Sequence, residues 1–376
     1  MREKTSNKGG KIPGHYTAYA VCKAYMALVM FGNAQRQGMS SRLLSQRVAR
    51  GAKALLLVLA IVASAATAGA YCYLRSTTEE NLIVSTTTSL YETGFLDVLK
   101  ERFEARNPGF NVSFLSQGTG LAIQTAMRGD VDLILVHDAA RELSFLQDGY
   151  GVNRKVVAYN FFAIVGPTED SAGIRGLSPI EALRKIYASA QQGGVVWVSR
   201  GDDSGTHMKE KQLWQQAGIN HTAIRTKSWY LEAGSGMTAA LKLADEKRGY
   251  TLTDMGTYLM SFRNRNIDLD VLVSAGKELL NVYSVIVCNP RKANLSRVRF
   301  EGAMRFTAFL VSEEGQSLFA SFGVEQYGQP LFNPYVKLLK EGTDPVKLQW
   351  IQDLAYFNGT ECPASYRYKA GDLYRP

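Results

Sequence analysis

Ser199-Arg200-Gly201-Asp202-Asp203-Ser204-Gly205-Thr206-His207 follows the apolar run Val195-Val196-Trp197-Val198 and precedes a helical pattern that ends at Gly218. That order predicts a strand, a turn and a helix N-terminus. Such a terminus carries unpaired backbone N–H groups and the positive end of the helix dipole, and Ser204, Thr206 and Arg200 add two hydroxyls and a guanidinium. The stretch therefore reads as a cradle for an oxyanion. Ser and Thr are also ordinary helix caps, so one such turn alone does not decide between binding and capping.

A second turn of the same kind opens the folded region. Asn81-Leu82-Ile83-Val84 is a short strand that runs into Ser85-Thr86-Thr87-Thr88-Ser89-Leu90, and an amphipathic helix follows with Phe95, Leu96, Leu99 and Phe103 at helical spacing. Strand Asn111 to Leu115 leads to Gln117-Gly118-Thr119-Gly120, and Gly234-Ser235-Gly236-Met237 opens a helix over Thr238 to Lys247. Three donor-rich turns at strand ends, with the Gly234 to Met237 turn as a fourth of similar composition, suggest the walls of one site, because open α/β sheets bind ligands at the carboxyl ends of their strands.

The first third reads βαβαβ, with Val131 to Val136 a nearly continuous apolar strand suited to a sheet covered on both faces. The expected architecture is α/β, two lobes each built on a doubly wound sheet with flanking helices. Val156 to Val165, closed by Gly166-Pro167, is taken as the crossing into a second lobe, and Val282 to Val287 as the return, giving a two-strand hinge. The second lobe opens with the capping box Ser178-Pro179-Ile180-Glu181. Expected boundaries are 76–165 for the first part of lobe I, 166–280 for lobe II, 281–332 for the return of lobe I, and 333–376 for a tyrosine-rich, less patterned tail.

Net charge is +9, but residues 1–75 hold 11 Lys/Arg and only Glu3 as acid, leaving 32 basic against 33 acidic residues in the rest. The basicity belongs to the leader, so nucleic acid is not an expected partner. Residues 54–70 are apolar and small, preceded by Arg42, Arg47, Arg50 and Lys53 and ending in Ala68-Gly69-Ala70. This matches a signal peptide over 39–70, with Met39 as its start, residues 1–38 as a non-native or disordered extension, and a mature chain from Tyr71. Retention of 54–70 as a membrane anchor is the competing expectation, although the run is shorter than the roughly 20 residues of a comfortable span.

Cys72, Cys288 and Cys362 after the leader form no C-x-x-C, and His137, His207 and His221 are isolated, so no metal centre is expected. Gly118-Thr119-Gly120 lacks the third glycine of a dinucleotide fingerprint, since residue 123 is Ile. Asp203-Ser204-Gly205-Thr206 matches the D-[ST]-G-[ST] pattern of aspartic proteases, but no second copy exists, and Ser204 with His207 lacks a nucleophile elbow. Neither enzymatic reading is favoured, and no cofactor is expected.

Thr86-Thr87-Thr88-Ser89 together with Ser199 to Thr206, behind a signal-like leader, resembles the tungstate-binding proteins of ABC importers. Val152-Asn153-Arg154, Gly236-Met237 and Tyr250-Thr251-Leu252-Thr253-Asp254 extend the resemblance over roughly Asn81 to Phe332. It implies a type II periplasmic binding protein, monomeric and extracytoplasmic, that captures tungstate or molybdate between its lobes and delivers it to a membrane permease. The residues expected at the ligand are Thr87, Thr88, Ser89, Gly118 and Thr119 from one lobe and Arg200, Ser204, Gly205, Thr206, Gly236 and Met237 from the other. A tetrahedral dianion without a proton needs donors only, whereas hydrogen phosphate needs an acceptor, which Asp202 or Asp203 could supply. Phosphate and a pure anion-sensing role remain the alternatives.

Overall fold

The computed structural model describes residues 53, 56–67 and 80–375. The chain divides into two units at Thr77/Thr78. In the first unit residues 56–67 are helical, with Leu56, Leu57, Val58, Leu59, Ile61 and Val62 exposed. Among the described residues no helix is long and apolar enough to cross a membrane. The expected extension 1–38, the cleavage site 68–70 and the mature start at Tyr71 lie outside the described residues.

The second unit carries ten strands: β1 Glu80–Thr87, β2 Phe110–Gln117, β3 Leu133–Val136, β4 Gly151–Gly166, β5 Trp197–Ser199, β6 Tyr230–Glu232, β7 Tyr250–Asp254, β8 Asp270–Val273, β9 Leu280–Cys288 and β10 Asn333–Pro334. Their order is β2-β1-β3-β9-β4-β7-β5-β6, with β8 and β10 also pairing with β4. β1 runs parallel to β2 and β3, and β5 runs parallel to β6 and β7. β9 is antiparallel to β3 and β4. This is a two-lobe type II periplasmic binding protein fold, with a mixed sheet in each lobe. All nine residues of β9 are buried, as a strand covered on both faces requires.

β4 joins the lobes. It pairs with β9 as far as Phe161↔Leu280 and with β7 from Phe162↔Asp254 onward. The strand thus changes sheets between Phe161 and Phe162, four residues before the Gly166-Pro167 pair where the crossing is expected from sequence. The reason is that a 16-residue strand is long enough to serve both sheets without a break. The way back runs through the 3-10 turn Lys277–Leu279 into β9.

The tail is patterned after all. Helices Tyr335–Glu341 and Pro345–Ala355 bury Tyr335, Val336, Leu338, Ile351 and Ala355 against Val156, Tyr159, Leu280 and Val282. Asn153, Arg154, Lys155 and Val156 of β4 hydrogen-bond to tail residues Tyr368, Ala355 and Glu361. Helices of seven and eleven residues span few turns and carry a weak periodic signal, which is why the sequence alone left them unassigned.

In lobe I the parallel strands β1, β2 and β3 feed the helices Thr88–Glu92, Thr119–Arg128 and Ala139–Gln147. In lobe II, β5, β6 and β7 feed Gly205–Gln216, Met237–Glu246 and Met255–Arg263. Each lobe therefore presents three helix starts at the carboxyl edge of its sheet.

Candidate functional site

The two sets of helix starts meet. Arg200 Nη2 donates to Thr88 Oγ1 at 3.0 Å, joining the turn after β5 to the helix after β1. A Cβ on Gly118 would stand 3.5 Å from Asp202 O and 3.8 Å from Ser204 N, so the turn after β2 abuts the same lobe II turn. A Cβ on Gly205 would stand 2.5 Å from His137 Cε1, and only glycine permits that approach.

Two further contacts span the cleft. Arg141 donates from Nη2 to Asp203 Oδ1 at 2.7 Å and from Nη1 to Asp203 O at 3.0 Å. Thr238 Oγ1 donates to Glu92 Oε2 at 2.9 Å, and Gly236 lies against the same carboxylate. Burial pushes the Glu92 carboxyl above its ordinary range, against the pull of the Thr238 hydrogen bond and the nearby Arg200.

The hydroxyls divide into two classes. Thr87 Oγ1 accepts from Leu90 N at 3.4 Å and Ser204 Oγ accepts from His207 N at 3.3 Å, so both serve as helix caps. Thr119 Oγ1 and Thr206 Oγ1 are buried and have no partner among the described residues. They belong to the first turns of helices on opposite lobes, where the backbone N–H groups are also free of intrahelical acceptors. A buried hydroxyl without a partner is uncommon and calls for an explanation. Ser89 is buried beside Thr87, with their hydroxyls 3.4 Å apart.

Three further contacts bear on these turns. Met237 is fully buried in the core with Val198, Leu241 and Ala163, so its side chain packs the lobe and only its backbone N–H can face a ligand. Arg200 is not an uncompensated charge: its Nε and Nη2 bind Asp202 Oδ2 at 3.2 and 2.5 Å. Ser204 N also donates to Asp202 Oδ1, so both oxygens of that carboxylate accept within its own turn.

No local signal marks Arg141, Glu92 or Thr238, because these ordinary surface residue types acquire a role only where the lobes meet. His137 was legible only as an isolated histidine; it is buried against Gly205 and burial lowers its pKa to about 3. A cleft of about 160 Å³ lined by His137, Asp138, Gly205, Lys209 and Asn281 opens beside the start of β9. Burial also lowers the Lys209 pKa to about 8. Of the expected ligand residues only Gly205 lines that cleft.

The PBP superfamily domain matches residues 62–314, more than half of the chain. The chain belongs to the PBP superfamily. Within it, the protein is a homologue of tungstate-binding TupA. It is 38% identical to the tungstate-binding protein TupA of Peptoclostridium acidaminophilum over 63% of this chain and 79% of that protein. The solved TupA of Desulfovibrio alaskensis G20 is 38% identical, covers 68% of this chain and 98% of its own, and superposes with a TM-score of 0.58. The tungstate ABC transporter structure from Geobacter sulfurreducens is 41% identical, covers 64% of this chain and 98% of its own, with a TM-score of 0.56.

This PBP superfamily group consists of binding proteins and not enzymes. In the turn before the helix Gly205–Gln216, Ser204 Oγ accepts from the His207 backbone N–H at 3.3 Å, while His207 Nδ1 accepts from Asp203 N at 3.1 Å.

Proposed function

We propose that the cleft between the lobes binds a fully deprotonated tetrahedral oxyanion, tungstate or molybdate, and that the protein is the extracytoplasmic solute-binding component of an ABC importer. The observation that carries this reading is the pair of buried, unpartnered hydroxyls, Thr119 Oγ1 and Thr206 Oγ1, on facing helix starts. Two hydroxyls, the free N–H groups of two helix first turns and the Arg200 guanidinium form a donor set with the symmetry a tetrahedral dianion needs. The homologues' names point to the same anion.

Hydrogen phosphate is the alternative: its proton needs an acceptor, and Asp202 Oδ1, which holds one N–H, and the well-exposed Asp203 carboxylate both keep acceptor capacity. The assigned ligand groups are Thr88, Ser89, Gly118 and Thr119 from lobe I and Arg200, Gly205, Thr206 and the Gly236–Met237 backbone from lobe II. Thr87 and Ser204 shape the turns as caps. The leader exports the chain, and the protein, as a monomer, delivers the anion to a membrane permease.

A thermal-shift panel on residues 76–376 with sodium tungstate, molybdate, sulfate and phosphate tests the reading, since a ligand bound only by the folded state raises its stability. Tungstate or molybdate should raise Tm at micromolar concentration and phosphate should not. Stabilisation by phosphate alone would overturn the assignment.

A further inference from the structure

Glu210, in the helix Gly205–Gln216, is 2% exposed, and among the described residues no Lys, Arg or His forms an ion pair with it. A buried carboxylate without a cation must be satisfied by hydrogen bonds. Glu210 accepts four. Oε1 accepts from Trp197 Nε1 at 2.9 Å, Trp214 Nε1 at 3.3 Å and Tyr230 Oη at 2.6 Å. Oε2 accepts only from Ser199 Oγ, at 2.7 Å.

That single bond sets the polarity of the next one. Because the Ser199 hydroxyl spends its proton on Glu210, its lone pairs face outward, and they accept from Gly201 N at 3.2 Å. Gly201 sits at φ 62°, a left-handed conformation, immediately after Arg200. A Cβ there would stand 2.8 Å from Glu232 Cβ, so the turn is also pressed against β6. The carboxylate thus ties β5, β6 and the helix to the turn that delivers Arg200.

We propose that Glu210 is the positioning residue of this turn: through Ser199 it holds the Gly201 N–H and so fixes the direction in which Arg200 enters the cleft. The consequence for affinity rests on the anion reading above; the relay itself does not. Glu210→Gln is the informative change because it keeps the shape and reverses the polarity. An amide NH₂ opposite Ser199 makes the hydroxyl an acceptor toward residue 210, and its own proton then competes with the Gly201 N–H. Ser199→Ala removes the relay outright. Trp214→Phe removes one donor from Oε1 and leaves the relay intact, so it reports loss of packing and hydrogen bonding alone.

The test combines two measurements on the three variants and the parent. Amide exchange at Gly201, read by NMR without ligand, should accelerate about tenfold in Glu210→Gln and Ser199→Ala and stay at the parent rate in Trp214→Phe. Calorimetric titration with sodium tungstate should show about tenfold weaker binding in the first two, the size expected for one lost hydrogen bond, and parental affinity in the third. The double variant Glu210→Gln/Ser199→Ala should bind no more weakly than either single variant. Parental exchange at Gly201 in the first two variants overturns the proposal. So does faster exchange with unchanged tungstate affinity, or an equal loss in all three variants. If Glu210→Gln does not fold, Ser199→Ala against Trp214→Phe decides. If the parent gives no heat with tungstate, the anion reading fails, and the exchange rates still decide whether Glu210 holds the turn.

Discussion

Arg200 of the second lobe donates to the Thr88 hydroxyl of the first at 3.0 Å while gripping Asp202 of its own turn. One guanidinium therefore serves the turn and the cleft together. In either role it is 2% exposed, so its charge acts in a medium where hydrogen bonds to charged groups are strong.

Arg200→Ala should weaken tungstate binding by about one to two orders of magnitude, from the roughly 1.5–3 kcal/mol of a charged hydrogen bond. It should also lower apo stability, because Asp202 loses its cation. Arg200→Lys should restore part of the affinity, since an ammonium cannot reproduce a planar two-pronged contact. Titration calorimetry beside thermal melts separates the two losses, and parental affinity in Arg200→Ala would place the anion elsewhere.

Thr119→Val and Thr206→Val should act in opposite directions on the free and the bound protein. Without anion each variant removes a buried polar atom that has no partner, so Tm should hold or rise. With anion each loses a donor, and Kd should rise roughly two- to twelvefold. A variant that loses apo stability and keeps its affinity would make the hydroxyl structural.

Arg141→Ala removes the ion pair to Asp203 across the cleft. Asp203 is well exposed, so the pair is screened and contributes about 0.2–1 kcal/mol. Tungstate should dissociate up to about fivefold faster in the variant at low salt, and the difference should shrink above about 0.5 M salt. Stopped-flow displacement at two ionic strengths measures both; equal rates at low salt would mean that the pair does not hold the lobes together.

His207 should make the fold acid-sensitive. Burial, reinforced by Lys211 and His221 and opposed by Asp202 and Glu232, lowers its pKa from 6.5 to about 4. The unfolded chain then binds this proton before the folded one does. Its contribution to stability is complete above pH 6.5 and lost as pH falls from about 6.5 to about 4. Protonation at Nδ1 also breaks the bond from Asp203 N. Glu92, Glu210 and Asp254, whose pKa values burial raises, slope the other way and are common to parent and variant. His207→Asn should therefore flatten the Tm profile through this window, and parallel profiles for the two proteins would contradict it.

Strands and helix starts were legible in the sequence because each is written locally. β9 is a run of apolar residues, and Ser178 with Glu181 forms the capping box its spacing announces. The turns at Thr88, Gly118 and Arg200 were legible for the same reason. What was not legible joins distant positions: Arg141 to Asp203 across 62 residues, Thr238 to Glu92 across 146. Nothing near Arg141 marks it as a bridging residue. The capture of Arg200 by Asp202 was two residues away and still undecided by sequence, because a guanidinium beside a carboxylate pairs with it or with a ligand according to side-chain direction alone.

The docking of the tail onto β4 has a consequence for how the protein is made. Val156 N donates to Glu361 Oε2, 205 residues later, and the buried Arg154 donates to Ala355 O and Glu361 O while pairing with Glu142. Until residue 361 has left the ribosome, the strand that joins the lobes lacks acceptors for one backbone N–H and for part of a buried guanidinium. Closing loops of that length is slow. The first lobe is thus the last to be completed although its sequence is translated first.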